Sequence, residues 1–253
     1  LKIICLFERL NNQALKYGGA LISILGNHEL MNVDKDFRYV SPKEFHEFGN
    51  FFKGKLEFNS KLPYGYKERL DAFKPGGILS KKLAITRFSV VQVGSWLFVH
   101  GGITPECAND YSLNEINYYI RRWLYGDESY ENMKHINKLY HNDDDEYSPF
   151  WSRKFSDMEE WCDTNCVNEF NKTLQCLNLK NKKNESNMIK GMIMGHSPQF
   201  MYDKCINSSA NNRIWRVDVG ASRAFGEIDD DNRLVQVLVI KNDKDFSILR
   251  EKR

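Results

Sequence analysis

The sequence predicts an α/β protein in which helices cover a sheet. Three observations carry that class. Residues 1 to 17 set apolar groups at Ile3, Ile4, Phe7, Leu10, Ala14 and Leu15, the spacing of one helical face. A continuous apolar run from Ala20 to Leu25, with β-branched Ile22 and Ile24, follows at once and reads as a buried strand. Short apolar runs then recur further along the chain among helical stretches, as they do when helices connect strands of one sheet.

The elements follow in order. Gly18-Gly19 stops the first helix. Ser41-Pro42-Lys43-Glu44 starts another over residues 42 to 53, with Ser41 as cap, Pro42 in the first turn and Glu44 reaching back. Residues 62 to 86 are ambiguous around a turn at Pro75-Gly76-Gly77. Phe88 to Val93 and Trp96 to Val99, joined by Gly94-Ser95, form a hairpin signature. Leu113 to Tyr125 and Asp157 to Leu177 read as helices, and the Asn- and Lys-rich stretch 179–187 as an exposed loop. Met192 to Met194, Ile214 to Asp218 and Leu234 to Ile240 complete the strands, with a turn at residues 229–232 before the last. The chain is expected to be one domain over 1–253, with residues 113–177 as a helical, cap-like insertion.

Composition excludes several classes. The chain has 253 residues, with 36 Lys+Arg against 34 Asp+Glu, a net charge of +2. That balance lacks the basic excess of a nucleic-acid binder. Apolar runs of about six residues fall far short of the roughly 20 that span a bilayer, so no integral membrane segment is expected. Six cysteines are too few for a disulfide scaffold and form no CxxC pair. Cys162 and Cys166 would share a helix face; the six are expected to be reduced, packing thiols, with a redox-sensitive Cys162/Cys166 pair as the alternative. Glu8 and Arg9 interrupt the early apolar stretch, so no signal peptide is visible; with Leu rather than Met in first place, the chain is expected to be a fragment or a processed form.

One event occurs three times. A short apolar run ends in Gly or Val, then a ligand-type residue, then a tight turn: Leu25-Gly26-Asn27-His28-Glu29, Val99-His100-Gly101-Gly102, and Met194-Gly195-His196-Ser197-Pro198-Gln199. Strand ends of α/β sheets are where ligands bind. Small neighbours let the backbone turn sharply beside each ligand. An amide oxygen with imidazoles suits Mn, Fe or Zn rather than Ca. Taken singly, each His also fits a hydrogen-bonded residue at a turn.

These blocks resemble the metal-dependent phosphoprotein phosphatases of the calcineurin-like metallophosphoesterase superfamily. Gly26-Asn27-His28-Glu29-Leu30-Met31-Asn32 with Arg38-Tyr39-Val40, Gly195-His196-Ser197-Pro198-Gln199, and Arg213-Ile214-Trp215-Arg216-Val217-Asp218-Val219-Gly220 are similar to the Shewanella-like branch. The resemblance implies an α-β-β-α sandwich of mixed sheets, N-terminally truncated here. It implies that Asn27, His100 and His196 hold one metal of a dinuclear pair, that His28 protonates the leaving oxygen, and that Arg153 clamps the phosphate through its planar fork. Asp218, at a strand end, would orient a ligand from behind, or serve only a structural role. The implied reaction is direct attack of metal-bound hydroxide on a phosphomonoester of a phosphoprotein. None of the cysteines sits in the Gly-rich, Arg-terminated loop of a Cys-nucleophile phosphatase.

The family also uses an upstream Gly-Asp-x-His and Gly-Asp-x-x-Asp-Arg-Gly, which this sequence lacks. Before Asn27 its only acidic residue is Glu8. The expectation is therefore two divalent metals in a full-length parent, one side of that site here, weak metal binding and little hydrolysis by the isolated chain. A phosphodiesterase or dinucleotide hydrolase on the same fold, or an inactive partner-binding scaffold, are the alternatives. The acidic stretch Asp143 to Glu146 reads as a solvated loop.

Overall fold

A computed structural model describes residues 1–54, 61–157, 164–182, 184–226 and 231–251. Two compact units divide the chain: Leu1–Phe88 with Tyr118–Lys134, and Ser89–Asn117 with His135–Arg253.

The first unit opens with α1 (Lys2–Lys16), which has no buried residue. Its apolar stripe is helical as expected yet stays open, with Ile3 68% and Leu15 58% exposed. Strand β1 (Ser23–Ile24) is only two residues long. The expected buried strand over 20–25 is thus corrected: Ile22 is exposed and only Leu25 is buried. The physical reason is pairing, since β1 has one described neighbour, the equally short parallel strand β2 (Arg87–Phe88). Between them lie α2 (Asn27–Val33), α3 (Pro42–Phe51), α4 (Tyr66–Phe73) and α5 (Ile78–Thr86). Helix α3 starts as its sequence requires. Glu44 accepts from the Ser41 amide at 2.9 Å, and Ser41 Oγ accepts from the Glu44 amide. The ambiguous stretch resolves into α4 and α5, separated by Gly76 at φ +78. Arg69 ties α4 to α2. Its Nε donates to Asn32 Oδ1 at 2.7 Å, and its guanidinium lies 4.7 Å from the Phe48 ring centroid and 5.3 Å from that of Phe73.

The second unit holds a five-stranded mixed sheet. Strands β3 (Val90–Val93) and β4 (Trp96–Val99) form the expected hairpin, turning through Gly94 at φ +58, but the expected strand 88–93 is split, because Phe88 pairs with β1 instead. Helix α6 (Pro105–Asp110) follows, capped by Thr104. Helices α7 (Leu113–Tyr125) and α8 (Tyr130–Leu139) each run from one unit into the other along the sequence. After α9 (Thr164–Lys180) come β5 (Gly191–Met194), β6 (Asn207–Ser209), β7 (Ile214–Arg216), β8 (Gln236–Lys241) and β9 (Asp245–Arg250). The sheet order is β3-β4-β5-β7-β6, with β4, β5 and β7 parallel and the two edges antiparallel. The β8–β9 hairpin packs across it: Phe246 meets Trp96 edge-on, and Leu238, Ile240 and Ile248 join a core of Trp96, Ile193, Ile206, Trp215 and Val219. Helices and a mixed sheet bear out the expected α/β class.

Other expectations shift in detail. Helix α9 is described from Thr164, and residues 158–163 of the expected 157–177 helix lie outside the described residues. Leu179 and Lys180 finish that helix rather than open a loop, and Glu185–Asn187 make one 3-10 turn. Of the expected turn at 229–232, Asp229 and Asp230 lie outside the described residues, and a 3-10 turn covers Asp231–Arg233. Cys5, Cys107, Cys176 and Cys205 are free thiols. Cys166 is not: it is disulfide-bonded, which corrects the expectation of six reduced cysteines, while Cys162 lies outside the described residues. Among the described residues no helix is long and apolar enough to cross a membrane.

Candidate active site

Parallel pairing brings two of the three ligand-bearing turns together. Val99 of β4 lies opposite Met194 of β5, so both chains leave the sheet at the same edge, and the Gly195 amide donates to the His100 carbonyl at 2.9 Å. The side chains follow: His100 Nε2 and His196 Nδ1 are 3.1 Å apart, their rings tilted at 60°. His196 is buried and adopts φ +67, a left-handed conformation that costs about 1–3 kcal/mol for a residue other than Gly. Trp151 presents its ring edge-on to His196, with centroids 5.9 Å apart.

The turn at residues 149–153 docks on this edge. The Gly101 amide donates to Pro149 O at 2.9 Å, and a Cβ at Gly101 would stand 2.8 Å from Ser152 O. Glycine is required there for close approach of two backbones. Arg153 Nη1 donates to Ser197 Oγ at 3.1 Å and reaches the His196 carbonyl at 3.5 Å. Asp218 follows β7 at the same edge. Its Oδ1 accepts from the Gly220 amide at 2.9 Å, and its carbonyl accepts from the Gln199 amide at 2.7 Å. His100, His196, Arg153 and Asp218 therefore share one end of one sheet.

Asn27 and His28 belong to the first unit, at the end of β1. The Leu25 amide donates to Phe88 O at 2.8 Å, which sets where α2 begins. Asn27 opens α2 and is 5% exposed; the Glu29 carboxylate accepts from the Gly26 amide at 2.8 Å. His28 is exposed, and its ring stacks on Tyr39 with centroids 4.9 Å apart and planes 8° from parallel. His28, Glu29, Tyr39, Arg69 and Arg87 line a cavity of about 330 Å³. Burial holds the Arg69 and Arg87 guanidinium pKa values below the ordinary value for arginine.

The donor set fits a transition metal. Two nitrogens bonded to one cation at about 2.0–2.1 Å, roughly at right angles, would stand about 3 Å apart, and the His100–His196 pair is at 3.1 Å. Among the described residues no three His, Cys, Asp or Glu side chains gather. Sequence reasoning assigned no role to Tyr39, Trp151, Ser197 or Gln199. Three of these stand inside the motif blocks, and that adjacency is the signal that was there to use.

The second unit thus presents two imidazoles and a guanidinium at the strand ends of a helix-backed mixed sheet. A family model described as calcineurin-like phosphoesterase matches residues 1–200. Shewanella-like protein phosphatase 2 of Arabidopsis thaliana is 30% identical across 98% of this chain and 64% of its own length. Protein R398 of Acanthamoeba polyphaga mimivirus, uncharacterized by name, is 32% identical over 98% of both chains. The crystal structure of a cold-active protein-tyrosine phosphatase of a psychrophilic Shewanella shares the fold, with a TM-score of 0.61 and 20% identity over 96% of this chain and 60% of that one. The chain belongs to the calcineurin-like phosphoesterase family. It spans nearly all of the viral relative but about two thirds or less of the relatives named as phosphatases.

Proposed function

We propose that the protein is a metal-dependent phosphoprotein phosphatase acting on phosphomonoesters. The observation that carries this reading is the His100–His196 nitrogen pair, 3.1 Å apart, with Arg153 bonded to the adjoining Ser197. Metal-ligand donors and a phosphate-binding fork then lie on one loop edge, as phosphoester cleavage requires. Asn27, through its amide oxygen, and His100 and His196, through ring nitrogens, hold a divalent cation, with Mn, Fe and Zn suited to these donors. When bound, such a cation neutralises phosphate oxygens and lowers the pKa of water.

The chain's own residues do the rest. Arg153 grips two phosphate oxygens and orients the ester. His28, exposed and stacked on Tyr39, supplies a proton to the departing alkoxide or phenoxide. Asp218 braces the turn to Gly220 beside Gly195, which keeps the His196 loop in place. The partner is a phosphorylated protein, because the named relatives are protein phosphatases.

The test is hydrolysis of p-nitrophenyl phosphate and of phosphoserine, phosphothreonine and phosphotyrosine peptides by the product of the whole gene. Turnover that needs Mn²⁺ and falls with His28→Asn and Arg153→Ala supports the reading. Preferential cleavage of bis-p-nitrophenyl phosphate would favour a phosphodiesterase instead.

A further inference from the structure

Behind the strand-end residues lies a buried polar network that the proposed chemistry leaves unexplained. Arg216, on β7, is 4% exposed. Its Nε donates to Phe155 O at 2.8 Å, its Nη1 to Asn207 Oδ1 at 3.1 Å and its Nη2 to Ser209 Oγ at 3.1 Å. These acceptors are neutral, and burial lowers the guanidinium pKa to about 10, still charged at neutral pH. Asn207 Nδ2 donates in turn to Gln199 Oε1 at 2.8 Å. Gln199, itself fully buried, donates through Nε2 to Ser156 O at 3.0 Å and Ser197 O at 2.8 Å. The Ser156 and Ser197 hydroxyls meet at 2.8 Å, and Arg153 closes the circuit on Ser197.

An arginine taken out of water without a carboxylate is costly to keep. One donor reaches the turn after Arg153, at Phe155, and two reach β6, at Asn207 and Ser209; Asn207 passes the contact on to the loop after His196 through Gln199. That turn and that loop carry the phosphate fork and the strained left-handed ligand. A strained residue persists only where its surroundings over-determine it, and this network supplies that determination.

We propose that Arg216 is a positioning residue which, through Phe155 and through the Asn207–Gln199–Ser197 bridge, holds Arg153 in register for an oxyanion. This rests on the reading of Arg153 as the phosphate ligand. A purely structural arginine would stabilise the β6–β7 edge and leave oxyanion affinity alone.

The test measures tungstate binding by titration calorimetry and thermal stability in the whole gene product, for Arg216→Met, Asn207→Leu, Arg153→Ala and each combined with Arg153→Ala. Asn207→Leu keeps the fold within reach should Arg216→Met fail to fold. Asn207→Leu is expected to weaken tungstate by about 5–10-fold, and by less than about twofold once Arg153 is alanine, the non-additivity of groups acting as one unit. Equal losses in both backgrounds, or affinity within about twofold of wild type, would overturn the proposal while Arg153→Ala still weakened binding. Unchanged tungstate affinity in Arg153→Ala alone would remove the underlying reading and the proposal with it.

Discussion

His100 Nε2 lies 3.1 Å from His196 Nδ1, across 96 residues of sequence. Parallel strands cause this: β4 and β5 end level with one another, and each places its histidine one or two residues past the edge. The left-handed turn at His196 swings its ring back toward His100.

Arg153 tests the phosphate side of that edge. Lys carries the charge but not the fork. Arg153→Lys is expected to raise KM for p-nitrophenyl phosphate and to weaken tungstate by about tenfold, and Arg153→Ala by about a hundredfold, the range of a charge-assisted bidentate contact worth roughly 1.5–3 kcal/mol. Steady-state kinetics and calorimetry read both.

His28 tests proton donation. Loss of a general acid matters most for leaving groups that are poor anions. His28→Asn is expected to lower kcat on phosphoserine peptide by about 10²–10⁴-fold and on p-nitrophenyl phosphate much less. Tyr39→Ala, which removes the stacked ring from an exposed position, should move the same ratio in the same direction by a smaller factor. Equal effects on both substrates would assign His28 another role.

Gly101→Ala tests the docking of the Arg153 turn. The added Cβ meets backbone at Ser152 O and Pro149 O, which cannot rotate away. A loss of about 1–3 kcal/mol in unfolding free energy is expected, the usual cost of overpacking, with weaker tungstate binding alongside.

Asp110 supplies a pH test of the second unit. Hydrogen bonds from Lys138 and Tyr147 hold its carboxyl below the ordinary 3.8. A depressed carboxylate stabilises the fold fully above its unfolded pKa, and that contribution is lost as pH falls through the lower folded value. Asp110→Asn should therefore be less stable than wild type at pH 7, and the gap should close below about pH 4. Urea melts across pH 3 to 7 measure it.

The legible parts of this protein were those with local signals. Ser41 and Glu44 marked a helix start, Gly94-Ser95 a hairpin turn, and three glycine-flanked residues the strand ends. The register Val99 to Met194 was not legible, because a parallel pairing 95 residues apart leaves no local trace. Strand β6, Asn207–Ser209, is polar and looks like loop, yet it pairs antiparallel with β7, and Arg216 and Gln199 engage its Asn207. Strand β1 was overread for the opposite reason: apolar residues suggest burial, but Ile22 finds no described neighbour to cover it. Arg216 falls inside the expected strand Ile214 to Asp218, and only coordinates reveal its three buried acceptors.

Anomalous diffraction from crystals of the whole gene product grown with Mn²⁺ decides whether His100 and His196 hold a cation. A peak is expected within bonding distance of His100 Nε2, His196 Nδ1 and the Asn27 amide oxygen. A map with no peak beside the two imidazoles, or with Mn²⁺ bound only elsewhere, would contradict it.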